Sequence, residues 1–371
     1  MEKQEPALHH AVCGVLSAVH DAPTLLDKQR QRFRDALRAS QHPANCALAR
    51  LCRCRVLHSQ LFSALHGEAI CLLVAFERGC TLVATSASAA GDALAKPETC
   101  NSSTDLLRNC YLQPLSACTA EDGVYSAATP EFTARQALDY TWPIVTSVAR
   151  MWGLHGPLML YGELMAHLLR PRPRVRRRVL ALAQDLRLGD CDGRIPLDRT
   201  LAVHVRLGDK ASTRHRALVN ATAALARHTS RTLGMEVIHF ASDSLRARAE
   251  FGARMRELDE RERSSGVPIV SVPAAQQIFT GDDNARAAST VQHKRNDSSS
   301  DQLELLLAEA VLVAQAGALV GVQVSNVDRA LTELMGAVRW PPLTFDVFND
   351  QWVPGAAVEG HNSNAWQGLI K

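Results

Sequence analysis

From residue 200 onward, apolar runs of strand length alternate with segments of helix length. That alternation leaves the chain few folds to choose from. Residues 201–206, 235–241, 267–272 and 317–322 read as strands, and helices are expected near 216–233, 245–258, 299–316 and 326–336. A polar loop covers 281–298. Strands and helices in this order build a mostly parallel, doubly wound α/β sheet, because each helix carries the chain back to the end where the last strand began.

In such a sheet ligands bind beyond the carboxyl ends of the strands. Three of those ends carry polar groups. The first is Leu201-Ala-Val-His-Val-Arg-Leu-Gly-Asp-Lys210, where an apolar strand containing His204 runs into Arg206, Asp209 and Lys210. A guanidinium is always charged and presents its donors in a rigid fork, which suits a phosphate. The second is Asp243 in Ala-Ser-Asp-Ser, and the third is Ser325-Asn326 at the start of a helix. Helix N-termini expose free N–H groups and the positive end of the dipole, so they also favour anions. Plain helix capping accounts for Ser242, Asp243 and Ser325 equally well, and is compatible with ligand binding. No G-x-x-x-x-G-K-[ST] or G-x-G-x-x-G stretch is present, which counts against P-loop and typical dinucleotide enzymes. Asp190-Cys-Asp192-Gly could hold a divalent cation, but reads better as an ordinary turn. No His/Cys cluster has zinc spacing.

The first half is less regular. An exposed helix with alternating charges is expected over 27–36, a helix packed between layers over 68–76, a short strand over 80–85, loop over 86–130, and helices over 133–169 with a strong apolar face from Trp152 to Leu169. Pro171 and Pro173 end that run, and Arg176–Arg178 open another helix through Asp185. The basic stretch 170–178 lacks interleaved aromatic residues and reads as a solvated helix face, and a net charge of +3 gives no independent argument for nucleic acid. Nine of the ten cysteines lie between Cys13 and Cys118, without a C-x-x-C pair. That clustering suits a disulfide-stapled N-terminal domain in an oxidising compartment. Sequons at Asn101, Asn220 and Asn296 lean the same way. No apolar run reaches membrane-spanning length, and no clear signal segment is present.

His204-Val-Arg-Leu-Gly-Asp-Lys210 resembles the His-Val-Arg-Arg-Thr-Asp-Lys motif of the α1,6-fucosyltransferases, which add core fucose to N-glycans. The likeness extends in order. Trp152 and Leu168-Leu-Arg-Pro-Arg-Pro173 resemble an upstream segment of that family, and Phe240-Ala-Ser-Asp243 resembles its Leu-Ala-Thr-Asp. Asp301 with Ala314-Gln-Ala316, and Val324-Ser-Asn-Val-Asp-Arg329 with Glu333 and Met335, resemble its last two motifs. His66, Cys71 and Thr81-Leu82 fall at its spacing, as do Cys46 and Cys54. The resemblance covers about residues 45–345 and extends to related protein O-fucosyltransferases.

The resemblance implies a GT-B-like fold: a helical segment over 1–44, a smaller Cys-rich α/β domain on the acceptor side over 45–150, a Rossmann-type domain for a GDP-sugar over 151–345, and a tail over 346–371. It implies GDP-fucose as donor, a glycan or glycoprotein as acceptor, inversion at the sugar carbon, no metal, and the Golgi lumen. Arg206 would bind the β-phosphate, with Asp209 and Lys210 beside it as catalytic candidates. His204, Asp243, Asp301, Ser325 and Asn326 would bind the donor, Cys54–Cys71 would be a disulfide, and Cys46 would pair with a later cysteine. The chain also departs from the family. The second arginine is Leu207, the probable catalytic carboxylate falls at Arg214, and two cysteines around the last motif are Gly321 and Asp328. Asp209 and His215 remain as candidate bases, and the oligomeric state stays open, a homodimer included. A non-catalytic nucleotide-sugar or glycan-binding protein on the same fold is the alternative.

Overall fold

The computed structural model describes residues 25–55, 61–84, 107–119, 122, 131–189, 195–206, 215–262, 265–271, 302–322 and 325–347. These fall into two compact units that change over between Arg172 and Pro173. Residues 25–44 and 151–172 therefore belong with the first unit.

In the first unit, α1 (Leu25–Gln41) is followed by β1 (Leu51–Arg55), α2 (Leu61–Glu77), β2 (Thr81–Ala84), β3 (Glu131–Thr133), α3 (Ala134–Met151) and α4 (Pro157–Leu168). The three strands form a parallel sheet in the order β2-β1-β3. The expected layer helix is α2, buried continuously from Leu61 to Ala75. The helix expected to be exposed is α1, but it is amphipathic, with Phe33 and Leu37 in the core. Phe33 meets Phe76 and Trp152 edge-on, with ring centroids 5.4 and 5.7 Å away. The helices expected over 133–169 are α3 and α4, separated after Met151, where Gly153 and Gly156 adopt positive φ. That backbone is strained for L side chains but open to glycine.

Three disulfides between described residues tie this unit together. Cys54–Cys71 joins β1 to α2, as the resemblance implies, and Cys46 finds its later partner in Cys118. Cys52–Cys80 joins β1 to the approach of β2. Together they close loops of 17 to 72 residues. In the chain-entropy account each such constraint destabilises the unfolded state by about 3–4 kcal/mol. Among the described residues no cysteine is free, and no helix is long and apolar enough to cross a membrane.

The second unit starts with α5 (Pro173–Asp185). It continues through β4 (Thr200–Val205), α6 (His215–Thr232), β5 (Val237–Ser242), α7 (Leu245–Arg261), β6 (Ile269–Val270), α8 (Gln302–Ala314), β7 (Ala318–Gly321), α9 (Asn326–Val338) and β8 (Thr344–Asp346). All four strands expected from the sequence are present. The sheet is wholly parallel, in the order β6-β5-β4-β7-β8. The chain winds outward from β4 in one direction, then returns to β4 and winds outward in the other.

Alternation within the strands sorts the two faces. Leu201, Val203 and Val205, with Ile238, Phe240, Ala318 and Val320, pack on Val219, Ala223, Phe251 and Met255 of α6 and α7. Ala202, His204, His239 and Gly321 fall on the opposite face, where His204 reaches α9 and His239 reaches α8. The Asn220 sequon lies inside α6 with Thr222 fully buried, so it is not the surface-loop acceptor expected of a glycosylation site.

The basic stretch is largely committed to the fold. Arg170 donates to the carbonyls of His167 and Pro114, Arg172 donates to those of Arg108 and Leu112, and Arg174 pairs with Glu304. Arg176 and Arg177 lie exposed on α5.

One contact beneath the sheet makes a stability prediction. The Gly317 N–H donates to the carbonyls of Leu197 (2.8 Å) and Thr200 (2.9 Å), drawing the start of β7 against the approach to β4. A Cβ at Gly317 would lie 2.0 Å from the Asp198 carbonyl oxygen, a backbone atom that cannot swing aside. Gly317→Ala is therefore expected to destabilise the second unit by about 1–3 kcal/mol, the usual range for overpacking. Urea denaturation checks this, and an unchanged midpoint would show that the junction is slack.

Candidate functional site

The strand order places a topological switch point between β4 and β7. Helices leave these neighbouring strands toward opposite faces, which opens a crevice at their carboxyl ends. The predicted residues fall around it. Arg206 follows β4 directly and is half-buried. Asp243 follows β5, also half-buried. Ser325 and Asn326 open α9 after β7. Asp209, Lys210, Asp301, Leu207 and Arg214 lie outside the described residues, as do Asp190 and Asp192. His215 begins α6, and its side chain is likewise outside them.

Capping separates the serines. Ser244 caps α7 by accepting from the Ala247 N–H at 3.1 Å, and Ser242 Oγ accepts from the Ser244 N–H at 3.1 Å. These two do what helix starts require. Ser325 does not. It occupies the cap position of α9, yet its side chain makes no capping bond. Its Oγ is buried and without a hydrogen-bond partner among the described residues. A hydroxyl left unpaired in a buried place costs roughly 1–3 kcal/mol, so an acceptor or donor brought by a ligand would be well received there. Asn326 is tied more closely into its helix, because its Oδ1 accepts from Arg329 Nη2 at 2.5 Å.

His204 is bound from below. Its Nδ1 lies 2.8 Å from Asp328 Oδ1, on the first turn of α9. Asp328 is fully buried, whereas the His204 side chain keeps 11% of its surface exposed. Burial pushes the imidazole down, but the charge and hydrogen bond of Asp328 outweigh it, with help from Asp243 and Glu309. The net direction is above the ordinary histidine value. On the same face His239 lies 3.3 Å from Glu309. The sequence marks Asp328 and Gly321 only as stand-ins for cysteines and does not single out Glu309 or His239. Among the described residues no group of three or more His, Cys, Asp or Glu side chains could hold a metal ion.

No family model matches the chain, and no curated protein sequence matches it. Among solved structures it is similar to an arginine-to-lysine mutant of Arabidopsis thaliana FUT1 in complex with GDP. There the identity is 11% and the TM-score 0.45, with 85% of this chain and 78% of that chain covered. It is also similar to POFUT1 without ligand, at 8% identity and a TM-score of 0.37, covering 81% of this chain and 99% of that one. POFUT1 in complex with GDP gives 9% identity, a TM-score of 0.33 and coverages of 80% and 97%.

Proposed function

We propose that the chain is a glycosyltransferase that takes a nucleoside diphosphate sugar as donor, with GDP-fucose the donor its motifs favour and a glycan, including N-glycans, as acceptor. The observation that carries this is the edge at β4 and β7. An arginine follows the central strand at the switch point, across from a helix N-terminus whose cap hydroxyl is unspent. When a sugar leaves a diphosphate, negative charge builds on the departing phosphate oxygens. Fixed cations and N–H dipoles at that spot lower the barrier without reorganising. Arg206 supplies the guanidinium, α9 the dipole and Ser325 a hydroxyl. Asp243 is placed to orient the donor. No metal is required for this chemistry, and inversion follows from a single displacement by an acceptor hydroxyl. The disulfides fit an oxidising compartment such as the secretory lumen.

One residue favours a second possibility. Arg214 stands where related enzymes carry a carboxylate, so a protein that binds the donor without turning it over is the competing function. Two measurements separate these. Labelled GDP-fucose with a panel of N-glycans reads transfer, and calorimetry with GDP reads binding. Transfer supports the enzyme, and binding without transfer or donor hydrolysis supports the binding protein. Absence of both removes the nucleotide-sugar site.

A further inference from the structure

The His204–Asp328 contact does more than fill space. We propose that Asp328 is a positioning residue that holds His204 as an imidazolium beside Arg206, giving the site a second cation for the diphosphate. This rests on the donor site proposed above and assigns Asp328 a part in it.

Three observations meet here. First, His204 and Arg206 stand two residues apart at the end of the central strand, where the donor phosphates would lie. Second, Asp328 is buried completely, its Oδ1 takes the His204 Nδ1–H at 2.8 Å, and its Oδ2 has no hydrogen-bond partner among the described residues. A buried carboxylate with so few partners is costly unless its charge is balanced. A protonated His204 balances it, alongside the buried Arg329 guanidinium that also feels the Asp328 charge. Third, the space for this carboxylate exists because residue 321 is glycine. A Cβ there would lie 2.3 Å from Asp328 Oδ1. Gly321 and Asp328 are therefore a matched pair, and they occupy the two positions where the resembling family carries cysteines. The same family has an arginine where this chain has Leu207. One cation is missing from the motif, and a second is built from below.

The groups around the ring agree. Asp328 faces it from α9, with Arg329 and Glu333 further along that helix. Glu309 stands on α8, Asp243 and His239 belong to β5 and its end, and Arg206 directly follows β4. Asp328, Asp243 and Glu309 all favour the charged ring. With Nδ1 held, the remaining ring donor is Nε2–H. A charged donor of that kind makes a shorter and stronger hydrogen bond to phosphate than a neutral one. The charge is lost as pH rises through the raised value, so diphosphate affinity falls on the alkaline side.

The test is GDP binding by calorimetry from about pH 6 to about pH 9, a span that brackets a raised histidine. Guanosine serves as the control that lacks phosphate. GDP affinity is expected to fall on the order of tenfold across this range, as loss of one charge-assisted bond would give. Guanosine affinity should stay flat. Asp328→Asn keeps an acceptor for Nδ1 and nearly the same shape. It should move the fall to lower pH by about one unit or more. The His204 imidazole resonances, followed by NMR in the wild type and the variant, should titrate with the same displacement. GDP affinity that is flat with pH, or a pH limb identical in both proteins, overturns the role of Asp328 while leaving the donor site standing. Failure of GDP to bind at any pH removes the donor site and this proposal with it.

Discussion

Arg206→Ala is expected to lower the rate of sugar transfer by about a hundredfold to a thousandfold, the usual loss when one preorganised donor to a developing oxyanion is removed. The expectation follows from position. Arg206 is the first residue beyond the central strand, at the point where helices leave toward opposite faces. A charge there acts on the departing diphosphate more than on the intact donor, because negative charge on the leaving oxygens grows along the reaction. The loss should therefore fall mainly on kcat, with a smaller effect on KM. Arg206→Lys should recover part of the rate, since an ammonium keeps the charge but loses the fork that engages two oxygens. Steady-state kinetics with GDP-fucose and the best acceptor from the glycan panel check this. An unchanged kcat in Arg206→Ala would place Arg206 away from the phosphate.

The second unit was largely legible from its sequence because its inner strands are buried on both faces. Leu201–Val205 and Val237–Ala241 carry few exposed positions, so they read as nearly continuous apolar runs. The edges were harder. Pro268 cannot donate to a ladder, and the strand expected over 267–272 shrinks to Ile269–Val270. β8 was not anticipated, because it has only three residues and follows Trp340-Pro-Pro. In the first unit β1 was hidden by its composition. Leu51-Cys-Arg-Cys-Arg55 shows cysteines and arginines rather than the β-branched residues that mark a strand. Alternating charges likewise concealed the Phe33 and Leu37 pair that buries α1.

The candidate site was legible where it depends on topology. A parallel sheet puts the ends of β4, β5 and β7 on one edge whatever the side chains do, so Arg206, Asp243 and Ser325 could be grouped from sequence. It was not legible where it depends on side chains meeting through the sheet. His204 and Asp328 are separated by 124 positions, and neither residue's neighbours announce the other. The available signal was the paired change at Gly321 and Asp328, which has meaning only once the strand and the helix are seen in contact.

Glu163→Ala is expected to destabilise the first unit by about 3–5 kcal/mol, the range for breaking a buried ion pair by removing one partner. Glu163 lies on α4 with its side chain fully buried. Its Oε1 accepts from Arg30 Nε at 2.6 Å and Arg34 Nη2 at 3.0 Å, and Oε2 accepts from Arg34 Nε. Two arginines one turn apart on α1 thus close on one carboxylate and fix α1 to α4. The two arginines do not respond equally to its loss. The Arg34 side chain is 39% exposed and can turn to water, whereas that of Arg30 is 6% exposed and cannot. The cost therefore falls chiefly on Arg30, whose buried guanidinium loses this carboxylate and cannot replace it with water. It follows that Arg30→Met combined with Glu163→Leu should recover most of the loss, because replacing both buried charges by apolar groups of similar volume is often neutral or stabilising. Urea denaturation gives the free energies, and hydrogen exchange of the α1 and α4 amides assigns them to this unit. A single variant as stable as the wild type would mean that the trio is solvated. A double variant as unstable as Glu163→Ala would mean that the contact stabilises by packing α1 on α4 rather than by charge balance.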